Sequence, residues 1–185
     1  GVDLPIARVV TRGSRNRNWH RLGRYGGLRS RKFWLQGTTT TISQEQFKKA
    51  QQEVRERGLE DKVTVLCEDY RDLEGQFDKL VSIEMIEAVG HEFYESYFRC
   101  VSKLLKPQGK AVIQAITITD QRYRQARDSV DYIKRYIFPG GCLPSLKVIS
   151  ENLAAHTDMQ MIDLRDITRD YARTLEAWHH RFLEQ

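Results

Sequence analysis

Cysteine is scarce in this chain: Cys67, Cys100 and Cys142 form an odd, scattered set among 185 residues. That spacing gives neither a disulfide framework nor the paired ligands of a zinc site, so buried thiols in a reducing, cytoplasmic setting are expected. No apolar run approaches the roughly 20 residues a membrane-spanning helix needs, and the Arg-bearing amino end lacks the apolar stretch of a secretory signal. The five histidines are dispersed, with His179-His180 on a charged helix face, so no metal centre is expected. There is no Gly-x-Gly-x-x-Gly, no phosphate-binding loop and no internal repeat. What is present, 40% hydrophobic and 30% charged residues, describes an ordinary globular chain long enough to bury one core.

The net charge of +5 is unevenly distributed. Residues 1–37 hold eight Arg and one Lys against a single Asp, which leaves −3 on the remainder. This segment has no sustained period of 2 or 3.6, although Val9-Val10 can seed a short strand. It reads as a basic arm for nucleic acid or an anionic membrane, or as an unstructured tail. The segment 1–37 is therefore set apart from a domain over 38–185.

From Thr38 the pattern becomes regular. Thr38 to Ile42 is β-branched and reads as the end of a strand, and Ser43-Gln44-Glu45-Gln46 is a capping box opening a helix that stops at Gly58. Lys62 to Cys67 alternates as a strand, and Phe77 to Met85 is the next. His91 to Leu105 is amphipathic, with Phe93, Tyr97, Val101, Leu104 and Leu105 on one side. Ala111 to Ile118 is apolar almost throughout, as expected of a strand covered on both faces. Helices are expected over 121–136, 146–155 and 168–182, with a late strand over 159–167. Alternating strands and helices predict an α/β domain with a largely parallel sheet.

Polar groups sit where these strands end, which is where open α/β sheets bind ligands. Glu68-Asp69-Tyr70 follows a strand; it serves as a solvated turn or as a nucleoside site with Tyr70 stacking. Glu84 and Glu87 straddle the end of a strand, where a carboxylate is costly unless a cleft or partner receives it. Gln114 interrupts an apolar strand, and Pro139-Gly140-Gly141 makes a tight turn.

Together these strings resemble the cyclopropane-fatty-acyl-phospholipid synthase and mycolic acid cyclopropane synthase family of S-adenosylmethionine-dependent methyltransferases. The likeness covers Thr38 to Trp178. It is carried by Thr41-Ile42-Ser43 with Gln46, Asp69 to Leu73, Met85 to Gly90, Tyr136 to Ser145, and Asp170-Tyr171 with Leu175 and Trp178. The resemblance implies a partial Rossmann-like class I methyltransferase fold and methyl or methylene transfer to the double bond of an unsaturated phospholipid acyl chain. It also implies peripheral contact with the inner membrane face and no nucleic acid partner. By resemblance, Thr41, Ile42 and Gln46 flank the cofactor's ribose and methionine part. Glu68, Asp69 and Tyr70 flank its adenine, and Ile83 lies beside it. Glu87 and Tyr171 match positions where the family holds a bicarbonate base, with Ile116 contributing backbone. Gln114 stands where many members have His, a departure expected in a branch that makes a methylated chain rather than a ring. A small-molecule methyltransferase and a non-catalytic basic-arm binding protein are the rival readings.

Other departures are larger. The family's catalytic Cys region, its first strand and its glycine loop have no counterpart before Thr38, and its last strand is not reached by Gln185. Back-translating Ser14 to Gly37 with freely chosen codons and shifting the frame by one nucleotide permits LEIGTGIGWGGMAVYAAENFGCKV, which resembles the missing strand, loop and helix. A frameshift ending near Gly37 is the expectation, with weak cofactor binding and a sheet that lacks its central strand and exposes two edges.

Overall fold

The computed structural model describes residues 8–12 and 36–184. Among these, five strands form one sheet: β1 (Arg8–Arg12), β2 (Gln36–Thr40), β3 (Val63–Leu66), β4 (Phe77–Ile83) and β5 (Leu105–Gln114). Their spatial order is β3-β2-β1-β4-β5. β2 and β3 are parallel, from Gly37 opposite Val63 to Thr40 opposite Leu66. β4 and β5 are also parallel, ending with Ile83 opposite Gln114. β1 runs antiparallel to both of its neighbours, with Val10 opposite Gly37 and Arg8 opposite Val81. Strands β2 to β5 therefore all point the same way, and their carboxyl ends share one rim.

This corrects the expectation of an empty centre. The facing edges of β2 and β4 present rows of N–H and C=O groups that any extended segment can satisfy, in either direction. The β-branched run Val9-Val10-Thr11 supplies that segment. The stretch singled out for a frameshift, from Ser14, lies outside the described residues except for its last two, which open β2.

The helices are α1 (Gln44–Glu56), α2 (Ile86–Val89), α3 (Tyr94–Leu104), α4 (Asp120–Asp128), α5 (Leu146–His156) and α6 (Thr168–Leu183). The core lies between the β4–β5 half of the sheet and α3. Tyr94, Tyr97, Phe98, Val101 and Leu104 recur at helical spacing and are all buried, against Leu73, Leu80, Ile86 and Ile149. Phe98 meets Tyr97 edge-to-face with ring centroids 5.1 Å apart. Phe93, expected on this face, falls instead in a short 3-10 turn before α3 and is 45% exposed.

Three further expectations change. Among the described residues β5 pairs only with β4, and its apolar run is half-buried rather than covered on both faces. Between the pairs Phe77–Leu105 and Lys79–Lys110 it bulges out of register through Lys106–Gly109. The helix expected over 121–136 breaks at Ser129, whose backbone is extended, and resumes as a π-turn over Ile133–Ile137. Lys134 reaches back across the break to the carbonyls of Ser129, at 2.9 Å, and Ala126. No strand forms over 159–167; alternation gives a strand only where a sheet edge receives it, and Ile162 stays 75% exposed. Of the three thiols, Cys142 is buried, while Cys67 and Cys100 are half-buried, and all are free.

Candidate functional site

The carboxyl rim of β2 and β3 is tied together by short polar contacts. Thr40, almost fully buried, donates its hydroxyl to the Glu68 carbonyl at 2.5 Å, which locks the exit of β2 onto the exit of β3. Thr41 donates to the Gln46 side-chain carbonyl at 2.8 Å, and the Ser43 N–H donates to Thr41 Oγ1 at 3.1 Å. Only half of the expected capping box forms. Ser43 accepts from the Gln46 N–H, but the Gln46 side chain turns to Thr41 instead of to the Ser43 amide. The result is a buried hydroxyl–amide pair at the strand end, with Ile42 beside it 64% exposed.

On the β3 side, Asp69 accepts from the Arg71 backbone N–H at 2.9 Å and from its guanidinium at 2.9 and 2.8 Å. Those hydrogen bonds hold the Asp69 carboxyl below its ordinary value. Tyr70 is half-buried, edge-on to Tyr97 at 6.0 Å, and burial raises its phenol above the usual range. Glu68 keeps its side chain exposed.

The rim of β4 and β5 is acidic. Glu84, one residue past Ile83 at the end of β4, has a left-handed backbone (φ 49°), which strains a side-chain-bearing residue. It is pinned from both ends: its N–H donates to the Gln114 carbonyl at 2.9 Å, and Gln114 Nε2 donates to Glu84 Oε1 at 3.1 Å. Glu87, in the first turn of α2, accepts the Ile116 N–H on Oε1 at 2.5 Å. Its other oxygen, Oε2, is shielded from solvent and has no hydrogen-bond partner. Burial, and to a lesser extent the nearby Glu84 charge, push the Glu87 carboxyl up, opposed by the Ile116 amide.

Behind this pair, Tyr97 donates to Ser82 Oγ at 2.7 Å and Tyr94 to the Cys142 carbonyl at 2.6 Å. Burial raises both phenols, so both remain neutral donors. The Cys142 N–H in turn donates to the Glu87 carbonyl at 2.8 Å, which seats the Pro139-Gly140-Gly141 turn against α2.

Glu87, Ile116 and, through Glu84, Gln114 are thus brought together. Tyr171 is not joined to them by a hydrogen bond among the described residues; it lies half-buried on α6, edge-on to Trp178 at 6.4 Å. Bicarbonate does not fit this arrangement. The Ile116 amide is taken by Glu87 and the Gln114 amide by Glu84, so an added anion would face two carboxylates. No cation is hydrogen-bonded or ion-paired to either carboxylate among the described residues. Thr40, Ser82, Glu84, Tyr94 and Tyr97 complete the site. Of these only Glu84 carried a signal in the sequence, as a charge where a strand should be buried. The described residues contain no group of His, Cys, Asp and Glu able to hold a metal ion.

Residues 28–185 match the model of the mycolic acid cyclopropane synthetase family. The chain belongs to that family. It is 40% identical over 147 residues to tuberculostearic acid methyltransferase UfaA1 of Mycobacterium tuberculosis, covering 80% of this chain and 34% of that protein. It is 43% identical over 144 residues to the cyclopropane-fatty-acyl-phospholipid synthase of Escherichia coli K12, covering 77% and 35%. Among solved structures, mycolic acid cyclopropane synthase CmaA1 complexed with SAH and CTAB superposes with a TM-score of 0.70 at 25% identity, covering 81% of this chain and 55% of that one. This synthetase-family chain spans about a third of the length of these two curated relatives. The fold is that of a partial Rossmann-like class I methyltransferase. No described helix is long and apolar enough to cross a membrane.

Proposed function

We propose that the chain is the methyl-transfer portion of an S-adenosylmethionine-dependent enzyme that adds a one-carbon unit to the double bond of an unsaturated phospholipid acyl chain, in peripheral contact with the membrane. One observation carries this reading. Thr41 with Gln46, Asp69 with Tyr70, Ile83, and Glu87 with Ile116 all stand on the one rim where β2 to β5 end. A fatty acid in the name of one curated relative and a fatty-acyl phospholipid in the name of the other support the acceptor class.

The residues present suit the cofactor chemically. Thr41, Ile42 and Gln46 would take its ribose and methionine part, Glu68, Asp69 and Tyr70 its adenine, and Ile83 would lie alongside. When bound, S-adenosylmethionine supplies an electrophilic methyl group on a sulfonium. Glu84 and Glu87 make the neighbouring rim negative, which favours both a sulfonium and the cationic carbon that alkene attack creates. Glu87 takes the proton lost when that cation collapses. Its Oε1 is fixed by the Ile116 amide, its Oε2 carries no competing hydrogen bond, and burial raises its proton affinity. Gln114 is a positioning residue, holding Glu84 in its strained conformation.

The central strand works against donor binding. A parallel strand would deliver its carboxyl end, a loop and a helix N-terminus to the cofactor. β1 presents its Arg8 end to that rim instead. Isothermal titration with S-adenosylhomocysteine is expected to show binding weaker than micromolar, and micromolar affinity refutes the impairment. The function itself is tested by prolonged incubation with labelled donor and either unsaturated phospholipid vesicles or soluble small-molecule acceptors. Mass spectrometry is expected to find acyl chains one carbon heavier, and label passing only to soluble acceptors refutes the lipid assignment. Proton loss gives either a cyclopropane or an isomeric branched alkene of the same mass, so proton NMR of the product, which shows vinyl signals only for the alkene, distinguishes a ring from a branch.

A further inference from the structure

Beyond the rim, an unexplained apolar feature is the segment leading into the Pro139-Gly140-Gly141 turn. Val130 is 75% exposed, Tyr132 68%, Ile133 51%, Tyr136 60% and Phe138 41%. Large apolar and aromatic side chains clustered this way on a protein surface mark an interaction site. Tyr132 and Tyr136 pack on each other with centroids 5.1 Å apart, and the Arg135 guanidinium lies 5.5 Å from the Tyr136 ring centre. Rings with a polar tip, flanked by cations, are the composition that settles at a bilayer interface.

The charge agrees. Between residues 120 and 147 stand six Arg or Lys against three Asp, whereas the domain over 38–185 is net negative. Asp128 and Arg127 neutralise each other, Lys134 is held by the Ala126 and Ser129 carbonyls and Lys147 lies 3.7 Å from Glu151, so Arg122, Arg124 and Arg135 are the cations offered to a membrane. Basic side chains beside an apolar surface favour anionic headgroups. The patch is also continuous with the rim. Phe138 leads into the turn whose Cys142 N–H is bonded to the Glu87 carbonyl at 2.8 Å, and the Gly141 N–H donates to the Phe138 carbonyl at 3.0 Å.

We infer that Val130 to Phe138 is a bilayer-docking element, its aromatic and aliphatic side chains entering the headgroup boundary of an anionic membrane and setting the Glu87 rim over the acyl chains. The inference rests on the phospholipid reading above, and it names the surface by which that substrate is reached.

The test is co-sedimentation of the full chain with phosphatidylcholine vesicles, with and without a minority of phosphatidylglycerol, in the absence of methyl donor. Binding is expected only with phosphatidylglycerol present. The combined variant Tyr132→Ser, Ile133→Ser, Tyr136→Ser is expected to lose about tenfold or more of it, with an unchanged melting profile because these positions are exposed. Arg135→Gln is expected to weaken binding by a smaller factor. A control on the other exposed apolar face, Trp178→Ser with Phe182→Ser, is expected to bind like the parent. Equal binding by the triple variant overturns the inference, as does its loss in the control. A parent that fails to bind overturns it too. A parent that is dimeric by gel filtration and a triple variant that is monomeric assign the patch to a second copy of the chain, which also overturns it. Release of S-adenosylhomocysteine with detergent-dispersed phospholipid, measured in parallel, judges the methyl-transfer reading separately.

Discussion

Replacing Glu87 by Gln should stabilise this protein at neutral pH while removing its proton acceptor. A glutamine in the same place keeps the carbonyl that accepts the Ile116 N–H at 2.5 Å. What it removes is a carboxylate whose Oε2 is shielded from water and unpartnered. An orphaned buried polar group costs about 1–3 kcal/mol, and more when charged. The neutral amide should recover part of this, roughly 1–2 kcal/mol, or about 2–8 °C in melting temperature for a chain of this size. The pH dependence fixes the sign. Burial raises the folded-state value of Glu87 above its ordinary 4.5. Its favourable contribution is therefore complete below that ordinary value and is lost as pH rises through the raised one. The advantage of Glu87→Gln should accordingly be largest at neutral pH and shrink on acidification. Thermal melts of both proteins from acidic to neutral pH decide the matter. A variant that is less stable at neutral pH, or whose advantage does not change with pH, refutes the assignment of Glu87 as a buried, half-partnered carboxylate.

Phe98→Ala removes a fully buried ring from the α3 core and should cost about 3–5 kcal/mol. In urea unfolding this should appear as a lowered midpoint with an unchanged slope. Gly141→Ala would place a methyl 3.1 Å from the Phe138 carbonyl and 3.4 Å from that of Glu87. It should destabilise by about 1–3 kcal/mol and raise the exchange rate of the Cys142 amide, read by hydrogen-exchange NMR.

The strand ends were legible in the sequence because their polar residues interrupt apolar runs: Glu68-Asp69, Glu84 and Gln114 each follow or break one. α1 and α3 were legible for the complementary reason, a cap at Ser43 and buried residues at helical spacing through Leu104. The direction of β1 was not, since Val9-Val10 fits an edge equally well either way, and only the paired registers with Gly37 and Val81 distinguish the two. Nor could spacing reveal that Thr41 would take the Gln46 side chain from its capping role, a competition between two donors, the Thr41 hydroxyl and the Ser43 N–H, for one carbonyl oxygen. The expected strand over 159–167 failed because alternation describes a face without supplying a neighbour to pair with.

β1 is the only element that joins the two parallel strand pairs within the sheet of the described residues. Five residues, Arg8–Arg12, thus couple a half bearing the hydroxyl–amide pair to a half bearing the acidic pair. Cooperative unfolding of the two halves depends on that narrow bridge together with the packing of Tyr70 and Leu73, past the end of β3, on the α3 core. If it detaches, each half should show its own protection level in native-state deuterium uptake, and a protease cutting near residue 12 would turn one unfolding transition into two.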